Sequence, residues 1–300
     1  MKRVLVTGAS GFIGRALVAV LLDRGFEVHG AARTQQPPIT GVAWHAADLL
    51  TEAGRAQALS ASRPTHLVHL AWEARPGRYR EDPVNRLWAD ASIDLLARAK
   101  ACGIERILGI GSCLEYGPQN GLCEERASQC HPTTLHGQAK LGTAEAYIAA
   151  GAAWGRVFFP FGPHEPEGRL IPSLIGSLRA GRSFGCSHGG QLRDFVYVDD
   201  LAQMIAAVLD SDLTGAINLA CGEPRSLRSV VEHFAARLNA RHLIKFGVVA
   251  AEGVDAEPII AADIGRLRSV TAGVPAIGFE AGADRDLAWW IDRLAGRQNL

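Results

Sequence analysis

The sequence lacks a net charge: 31 lysines and arginines stand against 31 aspartates and glutamates. That balance excludes the clustered basic surface of a nucleic-acid binder, so no nucleic acid is expected as a partner. No uncharged apolar stretch of about 18 residues occurs, which argues against a membrane-spanning helix and a membrane partner. The chain opens Met1-Lys2-Arg3-Val4 and enters a strand without a long apolar run or a cleavage site, as expected of a cytoplasmic protein. Six cysteines, at 102, 113, 123, 130, 186 and 221, form no C-x-x-C pair and no Cys/His group at zinc spacing. They read as reduced thiols, and with ten dispersed histidines no metal is expected. Internal repeats and low-complexity linkers are also missing.

What is present is 300 residues, 48% of them hydrophobic, enough for one large core or two modest ones. Strand-like runs at 4–6, 27–32, 42–45, 66–71, 107–111 and 156–159 alternate with helical stretches at 15–24, 84–102 and 135–150. Such alternation implies βαβ units and a parallel sheet, so the expected fold is a Rossmann-type, doubly wound α/β sheet. After Phe159, prolines and glycines break the pattern, and a smaller mixed substrate-binding portion is expected to begin. The division is therefore 1–158 for dinucleotide binding and 159–300 mainly for substrate. Within the latter, 191–221 is expected to return to the main sheet through strands at 195–198 and 216–219. Helices are expected at 170–180, 230–238 and 283–295, the last with Leu287, Trp290, Ile291 and Leu294 on one apolar face.

Residues 7–14 read T-G-A-S-G-F-I-G between the first strand and the first helix. Gly8, Gly11 and Gly14 suit a tight turn, close backbone approach to a pyrophosphate, and packing of helix on strand. Thr7, Ser10, Phe12 and Ile13 complete the loop, whose helix N-terminus faces an anion. A strand followed by a tight turn without any ligand gives the same pattern. An NAD site usually places an acidic residue at the end of the second strand. Here the strand ends Ala31-Ala32-Arg33, with Glu27 at its start. A guanidinium suits a 2′-phosphate, so NADP is the expected cofactor, with NAD possible. The other reading of Arg33 is a solvated loop charge.

Further stretches resemble the extended short-chain dehydrogenase/reductase family, the nucleotide-sugar epimerases, dehydratases and ketoreductases. They are Ala47-Asp48-Leu49, His69-Leu70-Ala71-Trp72, Gly111-Ser112-Cys113-Leu114-Glu115-Tyr116-Gly117 and Arg193-Asp194-Phe195-Val196-Tyr197-Val198-Asp199-Asp200. The resemblance covers nearly the whole chain. It implies that Asp48 and Leu49 lie at the adenine and that Leu70, Ala71 and Trp72 line the cofactor. It also implies a homodimer through the helices at 84–102 and 135–150.

The family's Y-x-x-x-K signature is represented by Lys140 after the lead-in Pro132-Thr133-Thr134-Leu135, but position 136 is histidine. On a helix, residues four apart share a face, so His136 and Lys140 converge. By resemblance, Ser112 bonds the reacting sugar oxygen, Lys140 holds the nicotinamide ribose, and residue 136 moves the proton. Imidazole suits that task, titrating near neutrality. A nearby Lys140 disfavours imidazolium, which suits His136 to accepting a proton, or to polarising a carbonyl as a neutral N–H donor. The alternatives are another donor, such as Tyr116, Cys113 or water, or a site that binds cofactor without chemistry.

Cys113 and Leu114 stand where the family's 4,6-dehydratases carry an Asp-Glu pair, so a dehydratase is disfavoured. The expected reaction is NADP-dependent reduction of a nucleotide-linked 4-keto-6-deoxyhexose. The alternatives are a 4-epimerase that recycles its cofactor and a non-catalytic NADP(H)-binding protein. By resemblance the substrate also meets Ser112, Cys113, His136, Phe159, Arg169 and Arg193, with His164 in the same loop. Arg193 would clamp the diphosphate; its other reading is a surface salt bridge to Asp194 or Asp199. Phe159 and Trp88 both replace a family asparagine. Asp200 is expected to cap a helix, and Trp289-Trp290 to pack in the core.

Overall fold

Apolar strands separated by helix-length segments build a parallel sheet, because each crossover must return the chain to the same edge direction. The computed structural model describes residues 2–34, 36, 39–272, 274 and 276–298. In chain order the first half holds β1 (Arg3–Thr7), α1 (Phe12–Asp23), β2 (Glu27–Ala32), β3 (Val42–Ala46), α2 (Glu52–Ser62), β4 (His66–His69), α3 (Val84–Ala101), β5 (Arg106–Ser112), α4 (Leu135–Ala149) and β6 (Ala153–Val157). The second half holds β7 (Phe159–Phe161), α5 (Leu170–Arg179), β8 (Phe184–Cys186), β9 (Leu192–Arg193), β10 (Phe195–Tyr197), α6 (Val198–Asp210) and β11 (Gly215–Leu219). It closes with β12 (Arg225–Ser226), α7 (Leu227–Arg237), β13 (Ile244–Phe246), β14 (Ile259–Ile260), α8 (Gly265–Thr271) and α9 (Gly278–Gln298).

Seven strands form the main sheet in the order β11-β6-β5-β4-β1-β2-β3, each neighbouring pair parallel. The order reverses between β1 and β4, where Thr7 pairs with His69, and that switch point is where open α/β sheets bind ligands. One face of the sheet buries Leu17, Leu21, Leu201 and Ile205 from α1 and α6. The opposite face buries Leu59, Leu95, Leu96 and Tyr147 from α2, α3 and α4. A further core, with Leu174, Phe234, Phe279 and Trp290, unites α5, α7 and α9. No helix among the described residues is long and apolar enough to cross a membrane.

The expected return of 191–221 to the main sheet is corrected by the pairing. Only β11 joins it, on β6; β10 pairs in parallel with β7 in a separate two-stranded sheet. The cause is edge occupancy: β11 takes the open edge of β6, leaving β7, beyond Phe158, as the ladder for β10. Asp200 is corrected too. It lies inside the first turn of α6, whose N-cap is Tyr197, and its carboxylate accepts the N–H groups of Ile277 and Gly278. Trp290 is buried with the face of α9 as expected, and α2 went unanticipated because its alanine-rich sequence carries only a weak apolar stripe.

A Cβ added to Gly14 would meet the Gly8 carbonyl oxygen at 2.2 Å and Ala9 Cα at 2.7 Å, both rigid backbone. At Gly11 the nearest obstacle is 3.1 Å away. Gly14→Ala is therefore expected to destabilise the protein by about 2 kcal/mol or more in chemical denaturation, the scale of a forced overpacking. Gly11→Ala should cost clearly less, and equal losses would refute the packing argument.

Candidate active site

The glycine loop follows β1 as a turn closed by the Gly11 N–H on the Gly8 carbonyl. Gly8 takes φ +72°, and a Cβ there would press on the Ala71 backbone at 3.0 Å. The segment after β4 is thereby brought against the loop. The Thr7 hydroxyl fixes it: Oγ1 accepts the N–H groups of Leu70 and Ala71 at 3.1 and 3.2 Å and donates to His69 Nδ1 at 2.8 Å. His69 Nε2 then donates to Ser92 Oγ, whose own hydrogen goes to the Trp88 carbonyl.

Thr51, Thr134 and Ser226 cap α2, α4 and α7 with side-chain oxygens, whereas the Gly11 cap of α1 offers none. The first-turn N–H groups of Phe12, Ile13 and Gly14 are thus left for an anion at the switch point, and the pyrophosphate of a dinucleotide fits that cradle. Ser10 gives its carbonyl to Arg15 Nε. At the end of β2, Arg33 is exposed, while Glu27 at the other end is engaged by Arg3 and His29. Asp48 Oδ1 accepts the Leu50 N–H, with Leu49 buried beside it.

Ser112 ends β5 and caps the 3₁₀ turn Cys113–Glu115, its Oγ accepting the Leu114 N–H at 3.2 Å. Glu115 answers by accepting the Ser112 N–H at 2.8 Å. Its fully buried carboxylate also takes Trp154 Nε1 and pairs with Arg156 Nε at 2.8 Å. α4 docks against this turn so closely that a Cβ on Gly137 would meet the Leu114 carbonyl at 2.5 Å. The start of α4, with His136, is thus held against the turn that Ser112 caps. Lys140, one turn on, is buried; its Nζ donates to the Ile110 carbonyl at 2.7 Å and lies 3.7 Å from the Trp72 ring centre. Burial pulls its pKa down, and the Glu115 carboxylate opposes that.

His136 is 6% exposed and stands edge-on to Trp72 and Tyr79, with ring centres 6.1 and 5.0 Å away. Burial, then the charges of Lys140, Arg169 and Arg80, lower its pKa to about 3. Its place in the first turn of α4 acts in the same direction. The imidazole is neutral at physiological pH. Cys113 and Tyr116, the other candidate proton donors, are buried; burial pushes both pKa values up, and the Tyr116 hydroxyl is bonded to Asn218.

A cleft of about 590 Å³ opens beside this cluster, lined by Tyr79, Arg80, Phe159, Arg169, Arg193 and Asp255 among others. Its lining does not include Ser112, His136 or Lys140, but Tyr79 both lines it and packs against the His136 ring. Arg193 forms no salt bridge to Asp194 or Asp199. It is buried, and both terminal nitrogens donate to carbonyls: those of Leu192, Val254, Asp255 and Glu257. Arg169 differs, since its buried Nε has no hydrogen-bond partner among the described residues. His164 is exposed with φ +69°, and Trp88 stacks on Trp72 at 6.3 Å. Sequence reasoning missed Glu115 and also Tyr79, Asn85 and Arg80, the last three of which sit outside any spacing rule. Only Glu115 carried a signal: Ser-x-x-Glu is a capping-box pattern.

A parallel sheet with an uncapped helix at its switch point, and a Ser, His and Lys gathered at the end of β5, defines a dinucleotide-dependent α/β enzyme. The chain belongs to the NAD dependent epimerase/dehydratase family, whose profile matches residues 4–220. It is similar to dTDP-6-deoxy-L-talose 4-dehydrogenase (NAD(+)) of Aggregatibacter actinomycetemcomitans, 26% identical over 263 residues, covering 84% of this chain and 96% of that one. The structure of UDP-glucose 4-epimerase from Thermus thermophilus in complex with NAD aligns with TM-score 0.82 and 25% identity, covering 96% of this chain and 99% of that one. An NAD-dependent NDP-hexosamine 5,6-dehydratase of tunicamycin biosynthesis shares the fold at TM-score 0.85 and 23% identity, covering 98% and 99% of the two chains.

His69 and His136 both have folded pKa values of about 3, below the unfolded value near 6.5. The unfolded state therefore binds more protons below that value, and stability present above it is lost as pH falls. By pH 5 the loss is about 2 kcal/mol per histidine. His69→Gln should shrink the difference between denaturation free energies at neutral pH and at pH 5 by about that amount. An undiminished difference would show that His69 is not held neutral.

Proposed function

We propose that this protein is an NAD(P)-dependent oxidoreductase acting on a nucleotide-linked sugar, with His136 as the proton acceptor for the reacting hydroxyl. The observation that carries this reading is a buried, neutral His136 flanked by Lys140 at the turn where Ser112 is presented. Thr7, Gly8, Ser10, Gly11, Phe12, Ile13 and Gly14 would hold the dinucleotide, with Asp48, Leu49, Leu70, Ala71, Trp72 and Lys140 along its length. Bound there, an oxidised nicotinamide supplies the acceptor for hydride lost by the sugar carbon. Ser112 orients the sugar oxygen, His136 takes its proton, and burial together with the Lys140 charge keeps the imidazole in its base form.

The residues at first favoured net reduction of a 4-keto sugar. An imidazole with a pKa of about 3 carries almost no proton to give at neutral pH, so the oxidising direction is the better supported. The relative named as a 4-dehydrogenase supports hydride transfer at C4 of a nucleotide-linked sugar, in a name that covers both directions. The 4-epimerase is the second reading: the proton taken from the sugar oxygen in the first half of the reaction would be handed back to that oxygen in the second. Arg33 and the lack of a carboxylate at the end of β2 support NADP, although the relatives are named with NAD. Arg169, with its unpartnered Nε, together with Phe159 and the cleft beside them, serves the nucleotide diphosphate, and Arg193 holds the 254–257 segment over it. Leu87, Ile93 and Ile148, exposed on α3 and α4, support a homodimer through those helices.

The test follows nicotinamide absorbance with oxidised NADP or NAD and a panel of nucleotide-linked hexoses. Cofactor reduction is expected, with no loss of rate from protonation of His136 down to about pH 5.5 and with any reverse reaction favoured by acid. Interconversion of C4 epimers without net absorbance change would establish the epimerase instead, and neither result would refute both readings. His136→Ala should lower kcat by about 100-fold, the usual contribution of a general base. Unchanged turnover would remove His136 from the mechanism.

Arg33→Asp should weaken NADP binding more than NAD binding in titration calorimetry. Equal effects on the two would overturn the NADP assignment.

A further inference from the structure

We infer that Asn85 is the positioning residue that locks the His136 ring in one tautomer, with hydrogen on Nδ1 and the lone pair on Nε2. The inference rests on the reading of His136 as base and adds which nitrogen does the work and what holds it.

Asn85 lies in the first turn of α3 and is fully buried. Its Nδ2 donates to the carbonyls of Tyr79 at 2.6 Å and Asp82 at 2.8 Å. Its Oδ1 accepts the Trp72 indole N–H at 2.8 Å and lies 3.1 Å from His136 Nδ1. Two donors and two acceptor sites are thus all in use. Turning the amide over would set an NH₂ group against an indole N–H and two carbonyls against an oxygen, so its orientation is fixed. An oxygen faces His136 Nδ1, and the only hydrogen bond possible there is one that Nδ1 donates. In a neutral imidazole the other nitrogen then holds the lone pair. Nε2 has no hydrogen-bond partner among the described residues. When the sugar hydroxyl loses its hydrogen, the O–H bond breaks and an N–H bond forms at Nε2. The ring becomes imidazolium with its Nδ1–H still on Asn85; a bound oxidised nicotinamide would supply the acceptor for the hydride lost by the same carbon.

The charged and titratable groups around the ring do not compete for this role. Lys140 on α4, Arg80 beside Tyr79, and Arg169 at the start of α5 are cations and accept nothing from Nδ1. The nearest acid in sequence to Arg80, Glu81, has its carboxylate at the Leu135 N–H. Tyr79 meets the ring through its face or edge, with planes at 87°. Asn85 also ties the base to Trp72, the ring on which the Lys140 ammonium rests, so one amide sets both catalytic side chains.

The test is nitrogen NMR of the full chain labelled with ¹⁵N-histidine, with His136 assigned by its loss in His136→Gln. A proton-bearing Nδ1 and a lone-pair Nε2 are expected; hydrogen on Nε2 would overturn the inference. In Asn85→Ala the single tautomer should give way to a mixture. kcat should then fall about tenfold or more with KM for the dinucleotide unchanged, as misdirection of a base implies. A variant that keeps both the pure Nδ1–H tautomer and full kcat would also overturn it. If Asn85→Ala does not fold, the wild-type spectrum alone decides. The expected tautomer in a protein that oxidises no sugar would refute the functional reading and leave the assignment of Asn85 standing.

Discussion

Everything in this site hangs from the hydroxyl of Thr7. At the switch point of the sheet it accepts two backbone N–H groups from the chain leaving β4 and donates its hydrogen to His69. A threonine there does what a ladder bond would do in a continuing strand, but it turns the following residues toward the glycine loop instead. Gly8 makes the same approach possible from the other side, since any Cβ would collide with Ala71. Trp72 is delivered by this turn, and with it the platform for Lys140 and the indole N–H held by Asn85. A neutral His69 completes the joint, because an imidazolium would have no lone pair to accept the Thr7 hydrogen.

A second constraint works from below. Glu115 and Arg156 form an ion pair inside the protein, a costly arrangement unless the remaining lone pairs are satisfied. On the carboxylate they are, since Trp154 and the Ser112 backbone use its oxygens, whereas Arg156 Nη1 is buried without a hydrogen-bond partner among the described residues. The pair thus fixes the turn that presents Ser112, and its negative end faces the buried Lys140. Serine is positioned from one side by a carboxylate, histidine from the other by an amide, and lysine by a carbonyl and a ring.

The main sheet was legible because its signal is local: apolar runs of strand length, glycines at a forced turn, helices long enough to cross over. β10 was misplaced because Phe195, Val196 and Tyr197 read as a buried strand in either sheet, and only the occupancy of the β6 edge decides between them. Asp200 read as a cap because acidic residues favour the first turn; its true partners, Ile277 and Gly278, lie far along the chain. The Ser112, His136 and Lys140 positions could be read from motif order, but their neighbours could not. Asn85, Tyr79 and Arg80 are ordinary residues in a loop and a helix start, and only tertiary packing brings them to the imidazole.

A histidine above a lysine, where the resemblance implies a tyrosine, changes what the lysine would accomplish. In the family this chain resembles, the ammonium lowers a phenol from near 10 toward neutrality, where both protonation states are populated and the group serves either direction. An imidazole starts near 6.5, so burial first and then the same ammonium drive it away from neutrality rather than toward it. The depressed pKa of about 3 leaves a group that is almost always ready to accept and almost never ready to give. A weak base gains from a partner that holds its ring still, since it has little driving force to spare for reorientation. The fully saturated amide of Asn85 meets that need, and a phenol, with a single oxygen and no tautomers, would have had no use for it.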